Sequence, residues 1–161
     1  MFLQTNDRII NLKNVSNINI IKETNRIVFN LNYNIEITYF DKFTKTEKRK
    51  FISDYVYWDA INSENLKQNL SYLMEDSYFK NNFIKQIEDS GFINYNYISS
   101  IKFSEKKNRV IFNLSHPITF IDGDGKEKIT SEFVYVNCSD FNQYKDYVLY
   151  VKKEINLYRG I

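Results

Sequence analysis

The sequence contains one cysteine, one proline, one histidine and four glycines in 161 residues. A single Cys138 excludes an internal disulfide and points to a reducing compartment rather than a stapled secreted scaffold. With one histidine, any Ser-His-Asp or Cys-His arrangement would have to use His116, and one His with one Cys cannot fill a tetrahedral zinc site. So few glycines leave no phosphate-cradling loop, Walker sequence or dinucleotide fingerprint, and no cofactor is expected. No stretch approaches the roughly 20 apolar residues of a membrane-spanning helix. The first residues run into the polar segment Gln4-Thr5-Asn6-Asp7-Arg8, without the pattern of an export signal. The expected compartment is therefore the cytoplasm, with no membrane partner. An excess of one charge is missing too: 22 basic and 20 acidic side chains leave a formal +2, too balanced to make nucleic acid the default partner.

What is present is apolar and aromatic. The hydrophobic fraction of 43% with 17% aromatics is enough to bury a core and too rich for a disordered chain. The length suits one substantial core or two small ones. Heavy use of Asn, Ile, Lys, Tyr and Phe is what AT-rich coding sequence produces, as in low-GC bacteria and their phages and plasmids, so a phage or mobile-element origin is expected.

The chain resembles itself at an offset of 83. Asn25-Arg26-Ile27-Val28-Phe29-Asn30-Leu31 aligns with Asn108-Arg109-Val110-Ile111-Phe112-Asn113-Leu114, and upstream Ile10-Asn11 aligns with Ile93-Asn94. After Ile118 and Phe120 the offset drops to 78, which places one length change in one loop. Asp54-Tyr55-Val56-Tyr57 then meets Glu132-Phe133-Val134-Tyr135. Length changes confined to a loop are what a structural repeat tolerates.

Within each copy the Asn-Arg block alternates with period two, so it reads as a strand. A strand holding Ile18 and Ile20, or Ile101 and Phe103, precedes it across a polar turn in which Asn tolerates the left-handed conformation. A short strand at 9–12 comes first, and a fourth lies at Phe51 to Trp58, matched by Ile129 to Val136. The period then changes to 3.6. Asn62 or Ser63 caps a helix with Leu66, Leu70 and Leu73 on one face, and Ser139 or Asp140 caps one with Phe141, Tyr144, Val148, Val151 and Ile155. Phe79, Phe83 and Ile87, spaced four apart, predict an extra linker helix from Tyr78 to Glu88. Cys138 aligns with Ala60, which predicts a small, enclosed packing position.

The expected fold is therefore α+β: two tandem β-β-β-β-α modules with antiparallel sheets, at 1–76 and 91–161, joined by a linker helix at 77–90. Each four-stranded meander leaves a sheet face or edge open, and a pseudo-two-fold that lets each copy cover the other solves this. Whether the two modules share one core is left open. This element order resembles that of the Whirly-type single-strand-binding proteins, and a similar strand order occurs in small pleckstrin-like domains. The likeness lies in element order alone, no family motif is matched, and no functional residue carries over.

Few constellations carry chemistry. His116, in Ser115-His116-Pro117, reads as a turn histidine. Asp122-Gly123-Asp124-Gly125-Lys126 opens like a calcium loop but has Lys126 at position five and Phe133 at position twelve, so it reads as a tight hairpin turn. Lys42, Lys45, Lys48, Arg49 and Lys50 form the densest basic run, flanked by Tyr39, Phe40 and Phe43, with Asp41 and Glu47 interspersed. Basic groups beside aromatics suit single-stranded nucleic acid, whereas the carboxylates suit a solvated hairpin tip. Two functions are expected on these grounds. The first is a non-enzymatic interaction or assembly protein, a virion component or an inhibitor of a host protein, whose partner is another protein or itself. The second is a single-stranded nucleic-acid-binding protein using this basic and aromatic surface.

Overall fold

The computed structural model describes residues 2–121 and 128–160, without the side chains of 34, 50–53, 117–121 and 128–130. In chain order the elements are β1 (Phe2–Gln4), β2 (Ile9–Asn11), β3 (Val15–Ile21), β4 (Arg26–Asp41), β5 (Thr46–Asp59), α1 (Ser63–Glu75), α2 (Ser77–Asn82), β6 (Phe83–Lys85), β7 (Gly91–Asn94), β8 (Ile98–Ser104), β9 (Arg109–Ile121), β10 (Lys128–Asn137) and α3 (Phe141–Tyr158). Among the described residues the fold is mixed α+β, with antiparallel sheets and three α-helices. None of those helices is long and apolar enough to cross a membrane.

Local chemistry sets the element ends. Asn25 and Asn108 both occupy the left-handed region, at φ 51 and 44. Each holds the strand that ends its meander: the Ala60 N–H donates to the Asn25 carbonyl and the Cys138 N–H to that of Asn108, both at 2.8 Å. Asn62 caps α1 by accepting from the Asn65 N–H, and Asp140 caps α3 by accepting from the Gln143 N–H, both at 2.9 Å.

Two cores result. The first gathers Val15, Ile18, Ile27, Phe29, Leu31 and Trp58 under Leu66 and Leu73 of α1. The second gathers Val110, Phe112, Leu114, Val134 and Val136 under Tyr144, Tyr147 and Val151 of α3. Each core is also closed by a short hairpin, β1–β2 through Leu3 and Ile10, and β6–β7 through Ile84 and Ile93. Alternation puts the other face of β6–β7, Phe83 and Phe92, into the first core.

Three expectations, the four-stranded meanders, the linker helix and the turn histidine, are corrected, and the pseudo-two-fold is not confirmed. The four-stranded meanders do not form, because the strand at 9–11 pairs only with β1, and β7 leaves its own half to pair with β3. The sheets are therefore a five-stranded one in the order β5-β4-β3-β7-β6, a three-stranded one in the order β10-β9-β8, and the β1–β2 hairpin. A two-fold would make the contact reciprocal, with β2 on β8; instead it runs one way. The linker helix stops at Asn82, since Phe83 and Ile84 must face opposite cores, which only an extended strand allows, and Glu88 and Asp89 turn left-handed at φ 57 and 55. His116 lies within β9 rather than in a turn.

The β7–β3 ladder runs Asn17↔Ile93, Ile18↔Phe92 and Asn19↔Gly91, with the Ile20 N–H donating to the Ser90 carbonyl at 3.0 Å. Polar groups buried along this seam fix its register. The Asn94 amide donates to the Val15 carbonyl at 2.8 Å, and the Gln86 amide to Asn17 Oδ1 at 3.3 Å. Gly91 sits so close that a Cβ there would stand 2.1 Å from the Ile18 carbonyl oxygen. Gly91→Ala is therefore expected to destabilise the protein by roughly 1–3 kcal/mol, the range for overpacking a tight contact, read as a lower urea midpoint; an unchanged midpoint would contradict the contact.

Candidate interaction surfaces

Beyond Leu31, the last partner of β3, β4 continues to Asp41 paired with β5 alone. The ladder is interrupted between Asn30 and Asn34, and the outer part projects as a two-stranded arm. The sequence-predicted basic run occupies its tip. The Asp41 carboxylate closes the turn by accepting from the backbone N–H groups of Phe43 and Thr44, at 2.8 and 3.2 Å, and by pairing with Lys48. That Lys48 hydrogen bond, with the two N–H donors, holds the Asp41 carboxyl down at about 2. Lys45 takes the left-handed turn position at φ 53.

The tip thus divides the candidate residues. Lys48 is tied to Asp41, and Arg49 faces Glu36 at 3.9 Å. Lys42 and Lys45 are exposed and make no ion pair among the described residues. Phe43 is 100% exposed and Phe40 61%, while Tyr39 is opposite Lys48 in the ladder. The side chain of Lys50 and the loop 122–126 lie outside the described residues. An exposed ring between two free ammonium groups can take an apolar patch with an acidic rim, or a stacked base with its phosphates.

A second surface was not singled out from the sequence. On the outer face of the five-stranded sheet the Arg26 guanidinium lies 4.2 Å over the Tyr57 ring and pairs with Asp59, and Tyr57 contacts Tyr55 at 5.1 Å. In the three-stranded sheet Arg109 lies 4.9 Å over Tyr135, hydrogen-bonds Asn137 rather than a carboxylate, and Tyr135 stacks with Phe133 at 6.1 Å. Asp59 cancels the first cation and Asn137 leaves the second uncancelled. Lys102, exposed on the same face, adds to it, because Lys102↔Ile111 and Ser104↔Arg109 are ladder partners. The signal was in the sequence as Arg26 and Tyr57 against Arg109 and Tyr135, but only the ladder shows that each Arg reaches its ring.

The other two residues weighed in the sequence, His116 and Cys138, lie on the second half. His116 packs edge-on against Tyr97 at 5.7 Å and lies 3.2 Å from the Ser115 hydroxyl. Cys138 packs partly buried against the second core, and burial pushes its thiol up, away from a reactive thiolate. Among the described residues no group of His, Cys, Asp and Glu could hold a metal ion. The chain matches no family model, and no curated protein and no solved structure matches it significantly.

The turn is expected to depend on pH through Asp41. Its folded carboxyl is depressed, so its contribution is complete above the ordinary carboxylate range and is lost as pH falls through about 2. Carboxyl chemical shifts should place the Asp41 midpoint near 2, and Lys48→Ala should move it up toward an ordinary aspartate; a wild-type midpoint near 4 would contradict the turn.

Proposed function

We propose that this chain is a non-enzymatic interaction and assembly protein, built from two diverged copies of a hairpin–meander–helix module. Support for the doubling is the recurrence of unusual local features at the sequence offset: left-handed Asn25 and Asn108, bulges after Val15 and Ile98, and Arg-over-Tyr contacts at Arg26 and Arg109. Support for the function is one observation above all, the large apolar side chains held out in water on the arm, its tip and the first hairpin. Phe40 and Phe43 on the arm and Phe2 and Ile9 on the β1–β2 hairpin are 60–100% exposed. Large apolar side chains held in water forgo the free energy that burial would return, about 1.5–3 kcal/mol each, and a partner recovers it. The chain acts in the cytoplasm, as an AT-rich mobile-element product that joins a virion or blocks a host protein.

The arm gives the test. A photo-crosslinking phenylalanine analogue in place of Phe43, activated in cells that make the protein, should yield a discrete protein adduct that Phe40→Ser reduces. Absence of any adduct, together with absence of self-association, would contradict the reading.

A second reading has its own observation, the outer face of the three-stranded sheet, where Phe133 and Tyr135 are 39% and 48% exposed beside Arg109 and Lys102. Rings for stacking beside uncancelled cations suit single-stranded nucleic acid. Fluorescence anisotropy with labelled oligonucleotides should then show binding that weakens steeply as salt rises and falls about tenfold in Arg109→Ala; binding insensitive to salt, or none at low salt, would dismiss it.

A further inference from the structure

The first half fills a groove that the second half leaves open. Along β3, Val15 and Ile18 are fully buried and Ile20 is 9% exposed, because β7 pairs with the strand's edge and Phe83 and Phe92 enter the core beside it. The matching positions on β8 are covered less: Ile98 and Ile101 are half-buried against the second core, and Phe103 is 38% exposed with the Lys152 ammonium 5.5 Å over its ring. Among the described strands, β8 pairs only with β9, so its other edge carries unpaired backbone groups. Beside that edge lies a groove of about 680 Å³ between Ile98, Ile101 and Phe103 of β8 and Val151, Lys152 and Ile155 of α3.

The piece that fits this groove is on the same chain. The β1–β2 register, Phe2↔Asn11, Leu3↔Ile10 and Gln4↔Ile9, repeats that of β6–β7, Phe83↔Asn94, Ile84↔Ile93 and Lys85↔Phe92. Leu3 and Ile10 enter the first core as Ile84 and Ile93 enter the second. The outward pair differs only in having nothing to enter. Phe2 and Ile9 are 60% and 68% exposed, where their counterparts Phe83 and Phe92 are 6% and 4%. Among the described residues β2 pairs with β1 alone, so the outer edge of this hairpin is open, as is the groove beside β8.

We infer that copies of this chain associate head to tail, the β1–β2 hairpin of one molecule entering the groove beside β8 of the next. This rests on the assembly reading above and names its interface. Ile10 then lies opposite Ser100 and Ile9 opposite Ile101, as Ile93 and Phe92 lie opposite Asn17 and Ile18. One position departs from the internal pattern. Arg8 stands in the place of Gly91, where a side chain would strike the neighbouring carbonyl, so the new ladder ends at Ile9 and is weaker than the internal one. Each molecule offers one hairpin and one groove. The contact is heterologous, and its rotation decides between a closed ring and an open filament.

Sedimentation velocity over a range of concentrations tests this. The wild-type average mass should rise with concentration, and Ile9→Asp and Phe103→Asp, at positions exposed in the free molecule, should each stay monomeric with unchanged circular dichroism. Mixing the two variants restores one junction, and the mass should rise to that of a dimer and no further. Arg8→Gly should shift association to several-fold lower concentration. A wild type that stays monomeric throughout overturns the inference, and a protein adduct at Phe43 would then leave the broader interaction reading standing. Association that persists in both single variants also overturns it, by placing self-assembly on another face.

Discussion

The structure depends on one hairpin that belongs to two cores. In β6–β7, Ile84 and Ile93 face the second core while Phe83 and Phe92 face the first, so a strand pair of a few residues is buried on both sides. Burying four large apolar side chains supplies about 1.5–3 kcal/mol each before entropy is charged against it. Gly91 lets the hairpin approach β3 closely enough to pair, and the Asn94 and Gln86 amides fix where it pairs. Neither half closes its core independently of this segment: without it the first lacks the Phe83 and Phe92 rings and the second lacks its hairpin.

The same constraint explains why the two outer sheet faces differ. Asn17, Asn30 and Val28 are buried, and the Asn17 amide donates to Asn19 Oδ1 while its oxygen accepts from the Gln86 amide. At the matching positions of the second half Ser100 is exposed and Asn113 and Ile111 are half-buried. The first half thus buries the middle of its outer sheet face, where the second half leaves the matching positions more open. A one-way contact produces this division, whereas a two-fold would have left both halves alike.

Much of this architecture was legible in the sequence because it is local. The alternation around Phe29 and Phe112, the Asn turns at 25 and 108 and the helix starts follow from residue type and spacing; of the paired cap candidates, Asn62 rather than Ser63 and Asp140 rather than Ser139 do the capping. Pairing between distant segments was not legible. A strand of three residues such as Phe83–Lys85 has no period long enough to declare itself, and Phe79, Phe83 and Ile87 happen to fall at helical spacing. The basic run around Lys42 and Lys45 was visible as composition, but that Lys48 and Arg49 face carboxylates while Phe43 stands free is settled by hairpin register. The Arg109 and Tyr135 surface was invisible for the same reason.

The shared hairpin makes a direct demand on cooperativity. Trp58, the single tryptophan, reports on the first core, and Cys138, the single cysteine, packs against the second. Following Trp58 emission and the pulse-labelled reactivity of the Cys138 thiol through one urea titration measures both cores in the same molecules. If β6–β7 holds the two together, the curves superimpose with one midpoint and one slope. Two separated transitions, with one core intact while the other is open, would contradict the account.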